Sequence, residues 1–125
     1  MKKTNAAFMS GVPELLLLKL LMHREMYGYE LVKAIQASTQ SQIDLAEGVI
    51  YPALHSLEQK GLLKSRKVRT EGRTRVYYRT TAKGITRLDQ LNSEWERVSS
   101  GINAVLSRLM PNWTELDRDA RSSHA

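Results

Sequence analysis

The side chains best suited to chemistry in this sequence are cations, and they are concentrated in one stretch. From Lys60 to Arg87 there are ten lysines and arginines and a single acid, Glu71. This stretch carries a net charge of +9, so the remainder of the chain contributes −3 to the total of +6. Such a concentrated positive field favours a polyanionic partner, because long cationic side chains neutralise phosphates. The alternative is a charged surface that is only solvated.

The residue types that carry catalysis or bind metals form no recognisable pattern. The chain has no cysteine, which excludes disulfides, zinc thiolates and cysteine nucleophiles. The three histidines, His23, His55 and His124, have no ligand-like spacing to each other or to paired carboxylates. A glycine-rich phosphate loop and a serine-centred elbow are also missing. The sequence therefore predicts a protein that is not an enzyme and has no metal and no cofactor.

Three helices are expected before the basic stretch. The first begins near Pro13 and is apolar around most of its surface, which predicts burial on several sides. A second, amphipathic helix follows Gly28. A third runs from about residue 48 to 60 and ends at Gly61. Pro52 is tolerated only near the start of a helix, so the third helix cannot begin much before Glu47.

The basic stretch itself has strand character. Segments 62–68 and 75–80 are separated by a glycine-containing turn over 69–74, which predicts a hairpin. Thr81 then has the character of an N-cap for a long last helix, which Pro111 ends. Apolar residues in this helix alternate at spacings of three and four, the pattern of a coiled-coil seam. They are Leu88, Leu91, Trp95, Val98, Ile102, Val105 and Leu109.

The order of these elements predicts a mainly α fold with a small β-hairpin, namely a winged helix-turn-helix domain followed by a long dimerisation helix. In such a domain the third helix places its first turn at base edges, and the hairpin contacts the DNA backbone. The expected contacts from the third helix are Gly48, Val49, Tyr51, Pro52 and His55, and those from the hairpin are Lys67, Arg69, Arg73 and Arg75.

Consecutive tyrosines in a strand point to opposite faces of the sheet. One of Tyr77 and Tyr78 therefore packs on the core while the other can reach a phosphate, and we assign the phosphate contact to Tyr78. Filling the core is the alternative for each of them, and for Tyr51 as well. We expect the domain to cover 1–81 with a loose N-terminal arm, the dimerisation helix 82–110, and a polar, disordered tail 111–125.

Three segments carry a resemblance to a known family. They are Met26 to Leu31 (MYGYEL), Gly48 to Glu58 (GVIYPALHSLE) with Lys60-Gly61-Leu62-Leu63 after it, and a wing pattern formed by Arg73, Arg75, Tyr77, Tyr78, Arg79, Thr81 and Gly84. Together they cover about residues 12 to 85. In these segments the chain resembles the PadR family of bacterial transcriptional regulators, named for the phenolic acid decarboxylase regulator. The resemblance departs from the family at Val49, where threonine or serine is frequent, and at Val76, where lysine is frequent.

The resemblance implies a winged-helix homodimer that binds a palindromic DNA operator, usually as a repressor, with Tyr27 among the DNA-binding residues. The short C-terminal helix is similar to that of multidrug-responsive repressors, in which a tryptophan lines a cavity for planar aromatic compounds. Trp95 matches that position, with Leu91 one turn before it; the alternative is that Trp95 only fills the dimer seam.

Other classes of function remain to be distinguished. A winged helix can bind protein instead of DNA, although a protein-binding wing has no need of the cation cluster. Recognition of single-stranded RNA is disfavoured, because the paired aromatic motif of such readers is missing. The apolar run at 15–22 is far shorter than the ~20 residues of a membrane helix. We therefore expect a cytoplasmic protein without a membrane partner.

Overall fold

The computed structural model describes residues 10–107. Its elements are α1 (Val12–His23), β1 (Met26–Tyr27), α2 (Gly28–Ser38), α3 (Glu47–Gln59), β2 (Leu63–Thr70), β3 (Arg73–Thr80) and α4 (Ala82–Leu106). The strands form one antiparallel sheet in the order β1-β3-β2. The predicted fold class, mainly helical with a small β-hairpin and a long last helix, is confirmed.

The chain divides into two compact units, one ending at Asn92 and the other beginning at Ser93, and α4 contributes to both. The division into functional domains at 1–81, 82–110 and 111–125 stays a prediction, and the whole of the predicted tail lies outside the described residues. Among the described helices, none is long and apolar enough to cross a membrane.

The core of the first unit is built around α1. Apolar side chains of the three helices meet there at helical spacing: Leu17, Leu18 and Leu21 of α1, Leu31 and Ile35 of α2, and Ile50, Leu54 and Leu57 of α3. The predicted burial of the first helix is therefore observed. Because α3 buries one stripe, its other side and its N-terminal turn are left exposed.

The wing, which is the β2–β3 hairpin, is longer than the sequence predicted. We expected a six-residue turn over 69–74, but the turn consists of only two residues, Glu71 and Gly72. Both adopt left-handed backbone angles, with φ of 52° and 77°. This is the combination that a two-residue type I′ turn requires. The arginines and threonines on either side are polar, so their strand character was not visible in an apolar pattern.

The strand β1 was also missed, since two residues are too few to show a period. Met26 pairs with Tyr78 and Tyr27 with Tyr77, which makes β1 an edge strand beside the wing. The segment Met26 to Leu31 is thus split between two elements, with Met26 and Tyr27 in the sheet and α2 starting at Gly28.

The start of α4 is capped as predicted. The backbone N–H of Gly84 donates to Thr81 Oγ1 over 3.1 Å, which is an N-cap hydrogen bond. The prediction that Leu88 belongs to the dimer seam is wrong, because Leu88 is 5% exposed within a single chain and lies in the core of the first unit. Leu91 is half-buried against the same core. The early turns of α4 therefore complete the first unit.

Candidate nucleic-acid interface

The first turns of α3 present the residues that were predicted to face DNA. Gly48, Val49, Tyr51, Pro52 and His55 are all exposed, on the side opposite the buried stripe of α3. The N-cap position is an alanine without a side-chain cap, so the first amides of α3 receive no side-chain acceptor. Uncapped amides at a helix start can bind a phosphate. Pro52 has no N–H to donate to the carbonyl of Gly48, which leaves an acceptor on the same surface.

Tyr51 is held in place by a glycine. A Cβ atom at Gly28 would lie 2.6 Å from Cε1, Cζ and Oη of Tyr51, closer than real side chains approach. The phenol ring therefore lies directly on the backbone at the start of α2. This contact joins α2 to α3 and orients the hydroxyl of a residue that is otherwise largely exposed.

The register of the wing decides which face each cation occupies. Directly opposed residues share a face, so the face that begins in the core with Leu63 and Tyr78 also carries Lys67 and Arg69 further toward the turn. The opposite face is the outer sheet face, formed by Lys64, Arg66, Val68, Thr70, Arg73, Arg75, Tyr77 and Arg79 of the wing and by Tyr27 of β1. The four predicted wing cations are thus divided between two faces.

The predicted DNA contact of Tyr78 is corrected by its burial. Tyr78 is 4% exposed and belongs to the core, whereas Tyr77 lies on the outer sheet face. Burial, with a smaller contribution from the charge of Glu58, raises the pKa of the Tyr78 hydroxyl above its usual value. The alternative that we gave for this residue, filling the core, is the observed one.

Five predicted site residues, Tyr78 included, line one cleft. A cleft of about 260 Å³, which we call the α3–wing cleft, lies between the start of α2, α3 and β3; it is lined by Tyr27, Gly28, Tyr51, His55, Thr74, Arg75, Val76 and Tyr78. The guanidinium of Arg75 lies over the Tyr27 ring, 4.6 Å from its centroid. A cation–π contact of this kind restrains a long side chain. Lys67, Arg69 and Arg73 are exposed further along the wing and do not line this cleft.

Sequence reasoning did not assign Lys64, Arg66 and Arg79 to a surface. They line a second cleft of about 270 Å³ with Glu25, Ser65 and Tyr77. Arg66 donates to both carboxylate oxygens of Glu25, with Nε to Oε2 at 2.8 Å. The hydrogen bond from Arg66 lowers the pKa of Glu25 below its usual value, helped by the charges of Arg66 and Arg79. The alternation of cations along the two strands was the signal in the sequence that could have placed these three residues on one face of the sheet.

The second unit presents an apolar stripe. Trp95, Val98, Ile102 and Val105 recur at seam spacing on α4, and all are exposed in the single chain, Trp95 to 51%. Leu109, the last predicted seam residue, lies outside the described residues. Within the described part of the chain, no group of three His, Asp or Glu side chains is placed to hold a metal ion.

Comparisons with known proteins identify the family. The model of the transcriptional regulator PadR-like family matches residues 17–90. The transcriptional regulator YqjI of Escherichia coli is 31% identical over 97 residues, which are 78% of this chain and 45% of YqjI, so the chain spans less than half of that relative. An uncharacterized protein of Lysinibacillus sphaericus is 28% identical over 95 residues, 75% of this chain and 87% of its own length.

Solved structures are similar over most of the chain. A transcriptional regulator from Clostridium thermocellum has a TM-score of 0.74 at 34% identity and covers 78% of this chain and 96% of its own. A PadR family transcriptional regulator from Eggerthella lenta has a TM-score of 0.72 at 29% identity, covering 82% and 88%. The fold and the regulator family of these relatives are therefore shared by the described core.

Proposed function

The chain belongs to the PadR-like family of transcriptional regulators, and on that premise we propose that it binds a palindromic DNA operator as a homodimer and represses transcription. DNA-binding regulation follows from the family. The dimer, the form of the operator, repression and the residues that make each contact are our proposal.

The α3–wing cleft is the observation that carries the assignment of contacts. The exposed first turns of α3 enter a major groove, where Val49 can contact a thymine methyl group. Arg75, the Tyr51 hydroxyl and His55 then surround one backbone phosphate in the cleft. Lys67, Arg69 and Arg73 extend the contact along the backbone. Phosphate contacts of this type fix the position of the protein on the duplex, and the groove contacts select the sequence.

The exposed stripe of α4 supports the homodimer. A stripe at seam spacing buries its apolar area only against another surface, and a second copy offers the same stripe. The proposed seam is Trp95, Val98, Ile102 and Val105, extended by Leu109. In such a dimer two α3 helices occupy half-sites about one helical turn apart.

The operator proposal is tested by fluorescence anisotropy at ~0.15 M salt, where surface charges are screened beyond about 8 Å. Labelled DNA from upstream of the gene is compared with a shuffled duplex. We expect tight binding to the native fragment alone. Equal, weak binding to both would reject operator recognition and favour a winged helix that binds another partner.

The wing contacts are tested with the double variant Arg73→Ala/Arg75→Ala. We expect weaker binding of all duplexes, with the slope of log affinity against log salt reduced by about 0.9 for each lost phosphate contact. Lys19→Ala, which removes an exposed cation from α1, is the matched control and should leave the slope unchanged. An unchanged slope in the double variant would remove Arg73 and Arg75 from the interface.

We also propose that a planar aromatic ligand binds beside Trp95 and releases the operator. Half of the Trp95 surface is exposed in the single chain, so two facing copies can enclose a ligand between their rings. The chain has two tryptophans, so in a Trp113→Phe background Trp95 alone responds to excitation at wavelengths that tyrosine does not absorb. Quenching by a planar aromatic compound at concentrations that also release labelled DNA supports the proposal; no response across a varied panel assigns Trp95 to the seam alone.

A further inference from the structure

The outer sheet face holds more positive charge than contact at the wing tip requires. Of its eight wing residues, five are cations and none is an acid. Arg73 and Arg79 are six residue steps apart, or ~20 Å at about 3.3 Å per step. Lys64, Arg66 and Arg79 lie at the end of the strands farthest from the Glu71-Gly72 turn.

The cations at the base of the wing repel one another. Lys64 and Arg79 are directly opposed in the register, an arrangement that destabilises a sheet when no counter-charge is present. Glu25 is the one acid in the cleft that they line, and Arg66 already engages both of its oxygens. The cleft therefore keeps a net charge of +2, and a bound polyanion would relieve the repulsion.

The two tyrosines on this face select the kind of polyanion. Arg75 lies over the Tyr27 ring at 4.6 Å, Arg66 lies over the Tyr77 ring at 5.8 Å, and the rings meet edge to face at 5.4 Å. Rings covered in this way do not offer a stacking platform, which is what unpaired bases require. The restrained guanidiniums instead present N–H groups to phosphate oxygens. The observations favour duplex backbone over single strands.

The outer sheet face points away from α3. Ser65, on the other face of β2, donates a hydrogen bond to Glu58 of α3, so α3 packs against that other face. Lys64 and Arg79 therefore lie on the side of the sheet opposite to the one that packs on α3.

We propose that the outer sheet face binds the phosphate backbone of the duplex flanking each half-site, so that DNA curves around the wing from α3 to this face. The inference rests on the proposed operator binding and extends its footprint. Bending the duplex costs free energy, and the added contacts at Lys64 and Arg79 offset that cost.

The test compares two duplexes and one double variant. The short duplex contains only the two half-sites, and the long one adds about one helical turn, ~10 base pairs, on each side. We expect the wild-type chain to bind the long duplex more tightly and with a steeper salt slope. Lys64→Gln/Arg79→Gln should lose that gain, with the slope on the long duplex lower by about two units per subunit, and should bind the short duplex like wild type.

Controls separate this inference from the proposed function. Lys19→Gln/Lys33→Gln removes the same charge from α1 and α2 and should keep the gain from the flanks, and thermal unfolding verifies that both double variants are folded. Dyes at the ends of the long duplex should report closer approach with wild type and not with Lys64→Gln/Arg79→Gln. No gain from added length in wild type, or an equal loss on both duplexes, would overturn the inference while operator binding stands.

A further outcome concerns the choice of polyanion. If an unlabelled single-stranded oligonucleotide removed the gain from the flanks at concentrations where the equivalent duplex did not, the duplex assignment would be overturned in favour of single strands. Failure of wild type to bind even the short duplex would instead reject the proposed operator binding.

Discussion

At the scale of single residues, the candidate interface depends on Gly28, which leaves room for the Tyr51 ring because it has no side chain. Gly28 has an ordinary backbone conformation, so its value lies in the missing Cβ, which lets the Tyr51 ring lie on the start of α2. Tyr51 is exposed on its other side, so without this support its side chain would sample several rotamers. In the proposed interface, the role of Gly28 is to position Tyr51.

The variant Gly28→Ala tests this positioning. The new methyl group must displace the Tyr51 ring, and we expect operator affinity to fall by an amount comparable to Tyr51→Ala, about 1–3 kcal/mol. Anisotropy titration measures the affinity, and circular dichroism verifies the fold. In a double-mutant cycle, Gly28→Ala added to Tyr51→Ala should cost little more than Tyr51→Ala alone. Additive losses would show that Gly28 acts independently of Tyr51.

Sequence reasoning reached the residues of this site but not their environment. The positions on α3 were predictable because a buried stripe at helical spacing defines the exposed side, and Pro52 limits where the helix begins. The sequence did not show which of Tyr77 and Tyr78 is buried, because strand alternation predicts only that the two side chains point to opposite faces of the sheet. Pairing of Met26 with Tyr78, which places Tyr78 over the core, depends on a strand of two residues.

At the scale of elements, the exit of α3 and the start of α4 form one joint. Thr81 donates from its backbone N–H to the carbonyl of Leu62 at 3.0 Å and from its hydroxyl to the carbonyl of Gly61 at 2.7 Å. The ammonium of Lys83 reaches the carbonyl of Lys60 at 2.9 Å. Carbonyls of the segment that follows α3 are thereby hydrogen-bonded by Thr81 and by the first turn of α4.

The variant Gly84→Ala tests how tightly this joint is packed. A Cβ there would overlap the carbonyl oxygen of Leu62 and lie 2.6 Å from Cγ2 of Thr80, so backbone must move. We expect a loss of about 1–3 kcal/mol in the free energy of unfolding, measured by urea denaturation. The matched control is Gly101→Ala, also within α4, where no atom lies within 4 Å. It should be neutral or stabilising by up to about 1 kcal/mol, because alanine has the higher helix propensity. A Gly84→Ala chain as stable as the Gly101→Ala control would show that the joint accommodates a side chain.

The sequence predicted the elements whose ends are marked by capping or turn residues. It did not predict the strand segments that form only by pairing with another part of the chain. Thr81 and Gly61 mark helix ends through capping and a left-handed backbone, both of which are local properties. The full length of the wing was hidden because residues 69–70 and 73–74 are polar. Their strand conformation follows from the type I′ turn and from pairing across it.

At the scale of the whole molecule, one helix serves two purposes along its length. The spacing of three and four continues from Leu88 to Val105, yet Leu88 and Leu91 are covered by the core of their own chain while Trp95 and the residues after it are exposed. Periodicity could not reveal this change, because a helix needs the same apolar pattern whether it packs on its own domain or on a second copy. In the proposed dimer the seam therefore begins at Trp95.

Two variants distinguish these purposes. Ile102→Glu places a charge on the exposed stripe, and we expect it to dissociate the proposed dimer, because a charge buried in an apolar seam has no partner. Sedimentation velocity should show a monomer, the melting temperature should lose its dependence on protein concentration, and operator affinity should fall because the two half-sites are no longer bound together.

Leu88→Ala should behave in the opposite way, since it removes a buried side chain from the core of one chain. We expect a loss of about 2–5 kcal/mol in the free energy of unfolding, with the folded fraction still sedimenting as wild type does. If the wild-type chain is a dimer and Ile102→Glu remains a dimer, the dimer interface must lie on another surface. A Leu88→Ala chain that dissociates while folded would extend the seam back into the first unit, against the burial of Leu88 in its own chain.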